Sequence, residues 1–216
     1  MFSNRIHGNI IWIHHTETMK KALLLIFFFP LTSLFAQTAK VETEADRKYL
    51  VENLTRTRDL IVKETEGLSA KQWTFKESPE RWSISQVVEH LSYWEMVFAR
   101  EINIALRKTD LEAMKLKKPD STFLNYVLEE SPHVAPPFAV PMGLTEGKIN
   151  LAHFLKLRNE AIDFVKTSPS DFRTHFEATS ETEKRDVHQI YIIVFGHVDR
   201  HLRQIKRVKA DKNYPK

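Results

Sequence analysis

Two histidines one helical turn apart are the residues of this sequence best placed to do chemistry. His197 and His201 interrupt a stripe of apolar residues that recur at helical spacing. The apolar members of that stripe are Val187, Ile190, Val194, Ile205 and Val208. A buried polar group without a partner costs about 1–3 kcal/mol, so two inward-facing imidazoles require something in the core that binds them. A metal ion would satisfy both rings, and we predict that His197 and His201 are metal ligands.

His90 is the best candidate for a third ligand. It lies one helical turn from Val87 and Trp94, near the edge of the apolar stripe of an earlier helix. Three imidazoles without a cysteine are typical of a site that leaves one coordination position for water or substrate. Zinc and nickel are the favoured ions, and cobalt and ferrous iron accept the same ligands. The alternative is that His90, as a single histidine near an apolar face, is a hydrogen-bonded core residue.

The neighbours of these histidines give further candidates for the site. Tyr93 and Trp94 are candidates for substrate contact, although a tryptophan on a helix more often packs in the core. Helical spacing does not decide how the nearby acidic residues face the ligands. These acidic residues are Glu89, Glu95 and Asp199. The histidines interpreted as surface or structural positions are His133, His153, His175 and His188.

The composition excludes several other kinds of chemistry. The 216 residues contain no cysteine, so disulfides, thiolate ligands and a cysteine nucleophile are excluded. The formal charge of +4 arises from 32 basic and 28 acidic residues that are interspersed rather than grouped in a basic stripe. We therefore predict no binding to nucleic acid. The partner expected from the predicted metal site is a small-molecule substrate.

The N-terminal part of the chain has the order of a secretory signal. Met19 is followed by two lysines, an apolar stretch over residues 22–29 and a small residue, Ala36, before the expected cleavage point. Leu34 means that the small-x-small rule is only half met, which leaves an uncleaved N-terminal anchor as the alternative. We predict a signal peptide over residues 19–36 with cleavage after Ala36.

The signal peptide divides the chain into three parts. Residues 1–18 fit no targeting pattern, and we interpret them as an over-extended start upstream of Met19. Residues 37–216 are expected to form a single domain that is exported to the periplasm or secreted. No stable membrane span is expected after cleavage.

Helical periodicity dominates the rest of the chain, and strand signals are scarce. The clearest helix start is at Ser83, which can form a capping box with Gln86, while Trp82 and Val87 have the spacing of a hydrophobic staple. The long helices are predicted over Ala45–Glu66, from Ser83 through Leu106, over Asn150–Thr167 and over Glu183–Lys209.

A long connection over residues 109–148, with five prolines, separates the second and third long helices. We predict one short helix within it, Thr122–Glu130. Connections of this length are unusual in a compact domain and often cover a site, so Pro136, Pro137 and Phe138 are expected to shape or cover the opening. Four helices with one long crossover predict an all-α four-helix bundle whose second and third helices run parallel.

Two motifs together resemble the DinB-like (YfiT-like) superfamily. The first motif runs from Trp82 through His90-Leu91, and the second is Gly196-His197-Val198-Asp199-Arg200-His201-Leu202-Arg203-Gln204-Ile205. The resemblance covers residues 45–215. It implies a bundle of up-down-down-up order and a divalent metal held by three histidines, which fall here on His90, His197 and His201. It also implies that two chains pair as a homodimer.

The resemblance implies two kinds of activity. Members include metal-dependent transferases and isomerases that use low-molecular-weight thiols, and others have been described as hydrolases. An exported protein departs from the thiol-using pattern, because such thiols are scarce outside the cytoplasm.

Two hypotheses of function follow. In the first, the metal activates water or a thiol-type nucleophile, and the protein is a hydrolase or small-group transferase. In the second, the metal is a structural staple in a non-catalytic bundle that acts as a binding or interaction module. A structural site is normally closed by four protein ligands, and the sequence offers no convincing fourth ligand, which favours catalysis.

Overall fold

Six α-helices and two short 3₁₀ helices make up the computed structural model, which describes residues 41–110, 112–131, 133–177 and 184–216. The α-helices are α1 (Glu44–Thr65), α2 (Ala70–Thr74), α3 (Ile84–Ala105), α4 (Asp120–Leu128), α5 (Gly147–Thr167) and α6 (Val187–Lys209). The 3₁₀ helices are Glu112–Leu116 and Pro137–Ala139. No β-strand forms in these residues, and only isolated bridges link the loops. The predicted signal peptide 19–36 and over-extended start 1–18 lie outside the described residues.

Local sequence signals explain where several helices begin. Capping boxes, in which a side chain before the helix and one in its first turn bond each other's main-chain N–H groups, start α1, α2, α3 and α6. The capping pairs are Thr43 with Asp46, Ser69 with Gln72, Ser83 with Gln86, and Asp186 with Gln189. The predicted start at Ser83 is therefore confirmed.

Some predicted boundaries were wrong. The sequence predicts a loop over Leu68–Trp82, between the first two long helices, but this segment contains α2, which is too short to show a periodic pattern and buries only Trp73. The third long helix starts at Gly147 rather than Asn150, because a glycine gives no start signal, yet its lack of a side chain lets Trp73 pack against the helix. The short crossover helix lies two residues earlier than predicted, and α6 starts at Val187, after its cap at Asp186.

The four long helices α1, α3, α5 and α6 form the predicted up-down-down-up bundle. Helices α3 and α5 run parallel, since Asn150 near the start of α5 donates to the Ser85 hydroxyl near the start of α3 at 3.0 Å. Helices α1 and α6 also run parallel, because Arg56 pairs with Asp199, and further along both helices Lys209 pairs with Glu64 at 2.9 Å.

The remaining two helix pairs of the bundle are antiparallel. Arg47 at the start of α1 donates to the Val165 carbonyl near the end of α5 at 2.6 Å. His90 of α3 meets His197 at the middle of α6, whereas Glu95, later in α3, shares the Arg158 guanidinium with Val194, earlier in α6. The all-α bundle and its parallel α3–α5 pair are confirmed.

A single buried arginine contacts all four long helices. Arg158 of α5 is fully buried, and its guanidinium donates to the Glu95 carboxylate of α3. The same group donates to the Thr57 hydroxyl (2.7 Å) and the Leu54 carbonyl (3.4 Å) of α1. It also donates to the Val194 carbonyl of α6 at 3.4 Å. The position of this one side chain therefore fixes the register of the four helices.

A second polar cluster joins the starts of α1, α4 and α6 at the other end of the bundle. Arg173 donates to Asp46 (2.6 Å) and Asp120 (2.9 Å) and lies 3.4 Å from Asp186. Burial lowers the pKa of Arg173, but its bonds to Asp120 and Asp46 outweigh this effect and raise the pKa above its usual value. His188 is buried beside the cluster, as its structural interpretation predicts.

Helix α4 packs directly on the main chain of α6. A Cβ atom added to Gly196 would lie 2.3 Å from Cγ2 of Val127, which no side chain can tolerate without a shift. Gly196 thus permits the close approach that brings α4 alongside the second half of α6. No described helix combines the length and the apolar character that crossing a membrane requires.

The Arg158 network predicts a specific pattern of stability. Arg158→Met leaves the buried Glu95 carboxylate without its cation, and we expect the free energy of unfolding to fall by about 3–5 kcal/mol. Arg158→Met combined with Glu95→Met should recover much of this loss, because removing both charges leaves neither unpaired. Urea unfolding followed by circular dichroism measures both.

The control is Lys156→Met on the exposed face of the same helix, where only a weak pair with Glu160 is lost. A single Arg158→Met variant as stable as wild type would contradict the central role of this arginine. A double variant no more stable than the single one would also contradict it.

Candidate metal centre

Helices α3 and α6 supply the side chains of the candidate site. On α3, the positions at helical spacing from His90 are Trp94, Phe98 and Glu101, and all of them line one cavity. His197 and His201 line the same cavity from α6, which faces α3 and runs antiparallel to it. The capping box at Ser83 and the Arg158 network set the two helices in the register that makes these faces meet.

The three predicted histidines converge on one point. The Nε2 atom of His197 lies 3.3 Å from Nε2 of His90 and 3.0 Å from Nε2 of His201. One nitrogen from each ring lies within 4.8 Å of the other two. The structure therefore brings together the residues that the sequence singled out, and among the described residues no other group of three or more histidines and acids is so arranged.

Two carbonyl oxygens fix which nitrogen of each ring carries its proton. Nδ1 of His90 lies 2.6 Å from the main-chain carbonyl of Ala139, which can only accept a hydrogen bond. Nδ1 of His201 lies 2.8 Å from Oε1 of Gln204, which is likewise an acceptor. Both rings must therefore carry hydrogen on Nδ1 and present the Nε2 lone pair to the centre. The Nε2 atom of His197 lies near both lone pairs, but it can donate a hydrogen bond to at most one of them. A cation at the centre would satisfy both.

Burial holds the three imidazoles in the neutral form. It lowers the pKa of His201 to about 3. Burial, together with the neighbouring imidazoles, lowers the pKa of His197 well below its usual value. The pKa of His90 is lowered by burial too, although the bond to Ala139 opposes the shift. Neutral imidazoles are the form that binds metal ions, so the site needs no proton release from these rings near neutral pH.

A cavity of about 330 Å³ opens from the histidines. Trp82 and Trp94 flank them, with ring centroids 4.8 Å from His90 and 5.6 Å from His197, respectively. Beyond the indoles the wall is mixed: Phe98, Val127 and Ile193 are apolar, whereas Glu101, Arg185 and Arg200 are charged. A ligand bound at the histidines would therefore lie between aromatic rings, with charged groups further along the cavity.

The crossover between α3 and α5 forms one side of this site. Ala139 supplies the carbonyl that orients His90, and Pro136 lines the cavity. The ring of Phe138 lies 5.5 Å from that of Trp94. Of the three residues expected at the opening, Pro136 lines the cavity and Phe138 contacts Trp94 of its wall, whereas Pro137 is not among the lining residues.

Glu89 anchors the end of the crossover. Its buried carboxylate accepts hydrogen bonds from the main-chain N–H of Met142 at 3.1 Å and of Gly143 at 2.9 Å. Gly143 has φ +69°, a left-handed conformation that glycine adopts without strain. The Tyr93 hydroxyl donates to the same carboxylate at 2.6 Å. Because Ala139 lies just upstream, this anchor helps to hold the carbonyl that orients His90.

The structure separates the other predicted site residues. Trp94 lines the cavity, whereas Tyr93 lies against Glu89 and is not among the cavity-lining residues. Glu95 belongs to the Arg158 network, and Asp199 pairs with an arginine of α1, so neither contacts the histidines. Substrate contact by Tyr93 or Trp94 stays a prediction.

The histidines interpreted as surface or structural residues have different surroundings. His153 is exposed, and His175 bonds the Asp171 carbonyl at 2.7 Å. His133 lines the cavity, although its ring is paired with Glu129 at 2.5 Å. The position of His133 at the cavity was missed, because no periodic pattern surrounds it.

Sequence reasoning also missed the groups that orient the ligands. Gln204 lies three residues after His201, and that spacing on a helix could have identified it. The Ala139 carbonyl gives no sequence signal, because any residue could supply it. Trp82 was interpreted as half of a hydrophobic staple, which concealed its place beside His90.

An up-down-down-up bundle with three converging histidines defines a class of helical metal-site proteins, and the comparisons name it. The chain belongs to the DinB superfamily, whose family model matches residues 53–205. A solved structure with the same fold is YfiT from Bacillus subtilis, described as a probable metal-dependent hydrolase with an unusual four-helix bundle topology. The two share 14% sequence identity with a TM-score of 0.50, over 78% of this chain and 88% of YfiT. No curated protein shows significant sequence similarity to this chain.

The Glu89 anchor can be tested by hydrogen exchange. Glu89→Gln removes the charge that two main-chain N–H groups share, and hydrogen bonds to a charged group are worth about 1.5–3 kcal/mol. We therefore expect the amides of Met142 and Gly143 to exchange about 10–100-fold faster, as measured by NMR or mass spectrometry.

Glu146→Gln is the matched control, since Glu146 is an exposed acid of the same loop and makes no side-chain cap bond. Unchanged protection of Met142 and Gly143 in Glu89→Gln would show that the loop is held by other contacts.

Proposed function

We propose that the protein is a divalent-metal-dependent hydrolase that acts on a small molecule, with His90, His197 and His201 as the metal ligands. The observation that carries this proposal is the convergence of three imidazole Nε2 atoms at one end of a cavity. The description of YfiT as a probable metal-dependent hydrolase supports it.

The residues of the chain have distinct roles in this proposal. A bound divalent ion would act as a Lewis acid and lower the pKa of a coordinated water. Ala139 and Gln204 hold the His90 and His201 rings in the tautomer that directs Nε2 inward. Trp82 and the apolar part of the wall, which includes Phe98, would shield the substrate from bulk water. An all-nitrogen donor set suits zinc or nickel first, and also cobalt or ferrous iron.

Two features favour catalysis over a structural staple. Among the described residues the cluster contains three ligands and no fourth, whereas structural sites are normally closed by four. The free side of the cluster faces the cavity, where a substrate could reach it.

Thiol transfer is the second candidate that the metal site would support. We also propose export of the chain, on the basis of the signal pattern after Met19. Export favours hydrolysis, because low-molecular-weight thiols are scarce outside the cytoplasm. The homodimer implied by the resemblance stays a prediction.

Elemental analysis tests the metal site directly. We expect about one divalent ion per chain in the protein comprising residues 37–216 after reconstitution. His197→Ala should lose it, because the central ligand is gone. X-ray absorption should show nitrogen ligands together with an exchangeable oxygen.

His153→Ala, which removes an exposed histidine, should keep full metal content. Equal and negligible metal in wild type and His197→Ala would contradict the proposal.

Activity is then measured on a panel of ester, amide and lactone substrates. The expected result is turnover that chelation abolishes and zinc or nickel restores. Turnover that appears only with an added thiol would assign the transferase reaction instead. Metal binding that strongly raises the melting temperature without any exchangeable oxygen ligand would support the structural staple.

Gln204 provides a test of ligand orientation. Gln204→Leu removes the acceptor for Nδ1 of His201, and loss of such a partner typically lowers metal affinity about 10–100-fold. Gln204→Glu keeps an acceptor and should retain affinity within a few-fold of wild type. Competition titration against a chromogenic chelator measures both variants, and equal affinity in Gln204→Leu would show that Gln204 does not orient the ring.

A further inference from the structure

The cavity extends along α3 far beyond the three histidines. Glu101 lines it on the same face as His90, Trp94 and Phe98. Eleven residues separate Glu101 from His90, which corresponds to about 16 Å along the helix axis. The carboxyl group of Glu101 therefore lies at the end of the cavity away from the candidate metal centre.

One oxygen of the Glu101 carboxyl group, Oε2, is buried and accepts no hydrogen bond from any described residue. The nearest cation of the cavity wall, Arg185, is bound instead to Glu177, with Nε 2.6 Å from Oε1 and a second bond from Nη2. Burial raises the pKa of Glu101, the charge of Arg185 lowers it, and the charge of Glu177 raises it, with a net rise.

This carboxyl group contributes nothing visible to the stability of the fold. Glu101 forms no cap, hydrogen bond or ion pair within the described part of the chain, in contrast to Glu89 and Glu95, which anchor a loop and an arginine. A buried acceptor without a donor is destabilising. Such groups in a cavity are candidates for ligand contact.

The charges along the cavity differ at its two ends. Near the histidines, Arg200 donates to the main-chain carbonyls of Glu129 and Ser131, and its charge also acts on the Glu129 carboxylate, whose pKa it helps to lower. At the other end, Arg185 and Glu177 neutralise each other and leave the charge of Glu101 in excess. A cationic group is therefore attracted to the Glu101 end of the cavity.

We propose that Glu101 is a specificity-determining residue that binds a protonated amine of the substrate at the far end of the cavity. The substrate class is then an elongated amine with an apolar body, which packs along Trp94 and Phe98 and places its reacting group near the histidines. This inference rests on the proposed function in one respect, because only a catalytic site makes the bound amine a substrate. Amine binding itself needs no metal.

Two probes of one shape test the subsite. 4-Phenylbutylamine carries an apolar body and an ammonium group, and 4-phenylbutan-1-ol is its uncharged counterpart. Isothermal titration of metal-free protein, prepared by chelation, measures both affinities. We expect wild type to bind the amine at least about tenfold more tightly than the alcohol, and Glu101→Gln to lose that preference.

Glu112→Gln is the control, because Glu112 is an exposed acid that lies outside the cavity. It should bind both probes as wild type does. The melting temperature of Glu101→Gln should equal or exceed that of wild type, since the substitution removes an unpaired charge. A purely structural role for Glu101 would instead lower it.

The outcomes separate this inference from the proposed function. Equal affinity of wild type for the two probes, no binding of either probe, or unchanged amine affinity in Glu101→Gln overturns the amine subsite. None of these results bears on metal content or on chelator-sensitive turnover. Conversely, a protein that binds the amine through Glu101 but never binds metal keeps the subsite and loses the hydrolase.

Discussion

A buried guanidinium must have all of its donors satisfied, and the bundle is arranged around this requirement. Arg158 finds its partners on α1, α3 and α6, so the four long helices can meet in only one register. The candidate metal centre depends on that register. His90 and His197 lie on antiparallel helices, and a shift of one turn between these helices would separate their nitrogens by about 5 Å. The contacts that satisfy the buried Arg158 charge therefore also align the three histidines.

The site is built from two kinds of constraint. Helix register brings the three rings together, and neutral carbonyl acceptors decide which nitrogen of His90 and of His201 faces inward. Ala139 belongs to the crossover, which Glu89 ties back to α3 through main-chain N–H groups. The crossover is therefore part of the ligand geometry as well as one wall of the cavity. A rigid bundle alone would leave the His90 ring free to turn about its χ2 angle.

The sequence predicts the bundle and the three histidines because both depend on side-chain periodicity. His197 and His201 are visible as polar residues on an apolar stripe, and the crossover length implies the parallel helix pair. The contribution of Ala139 could not be predicted, because every residue carries a main-chain carbonyl and the residue type therefore gives no signal. Glu101 was missed for a related reason: its significance lies in a buried oxygen without a partner among the described residues, and only three-dimensional packing shows which neighbours a side chain lacks. The short helix α2 was not predicted, because five residues are too few to display helical periodicity.

The parallel pairing of α1 with α6 has a consequence for the order of folding. The first and last long helices of the domain are direct neighbours, so contacts such as Arg56 with Asp199 join residues far apart in sequence. Helical proteins usually fold quickly because their contacts are local, and this arrangement raises the share of distant contacts. During synthesis, α1 emerges first and has no partner on that face until α6 has been made. The last helix therefore completes both the bundle and the candidate metal centre, so the fold and the cluster of three histidines are finished in the same step.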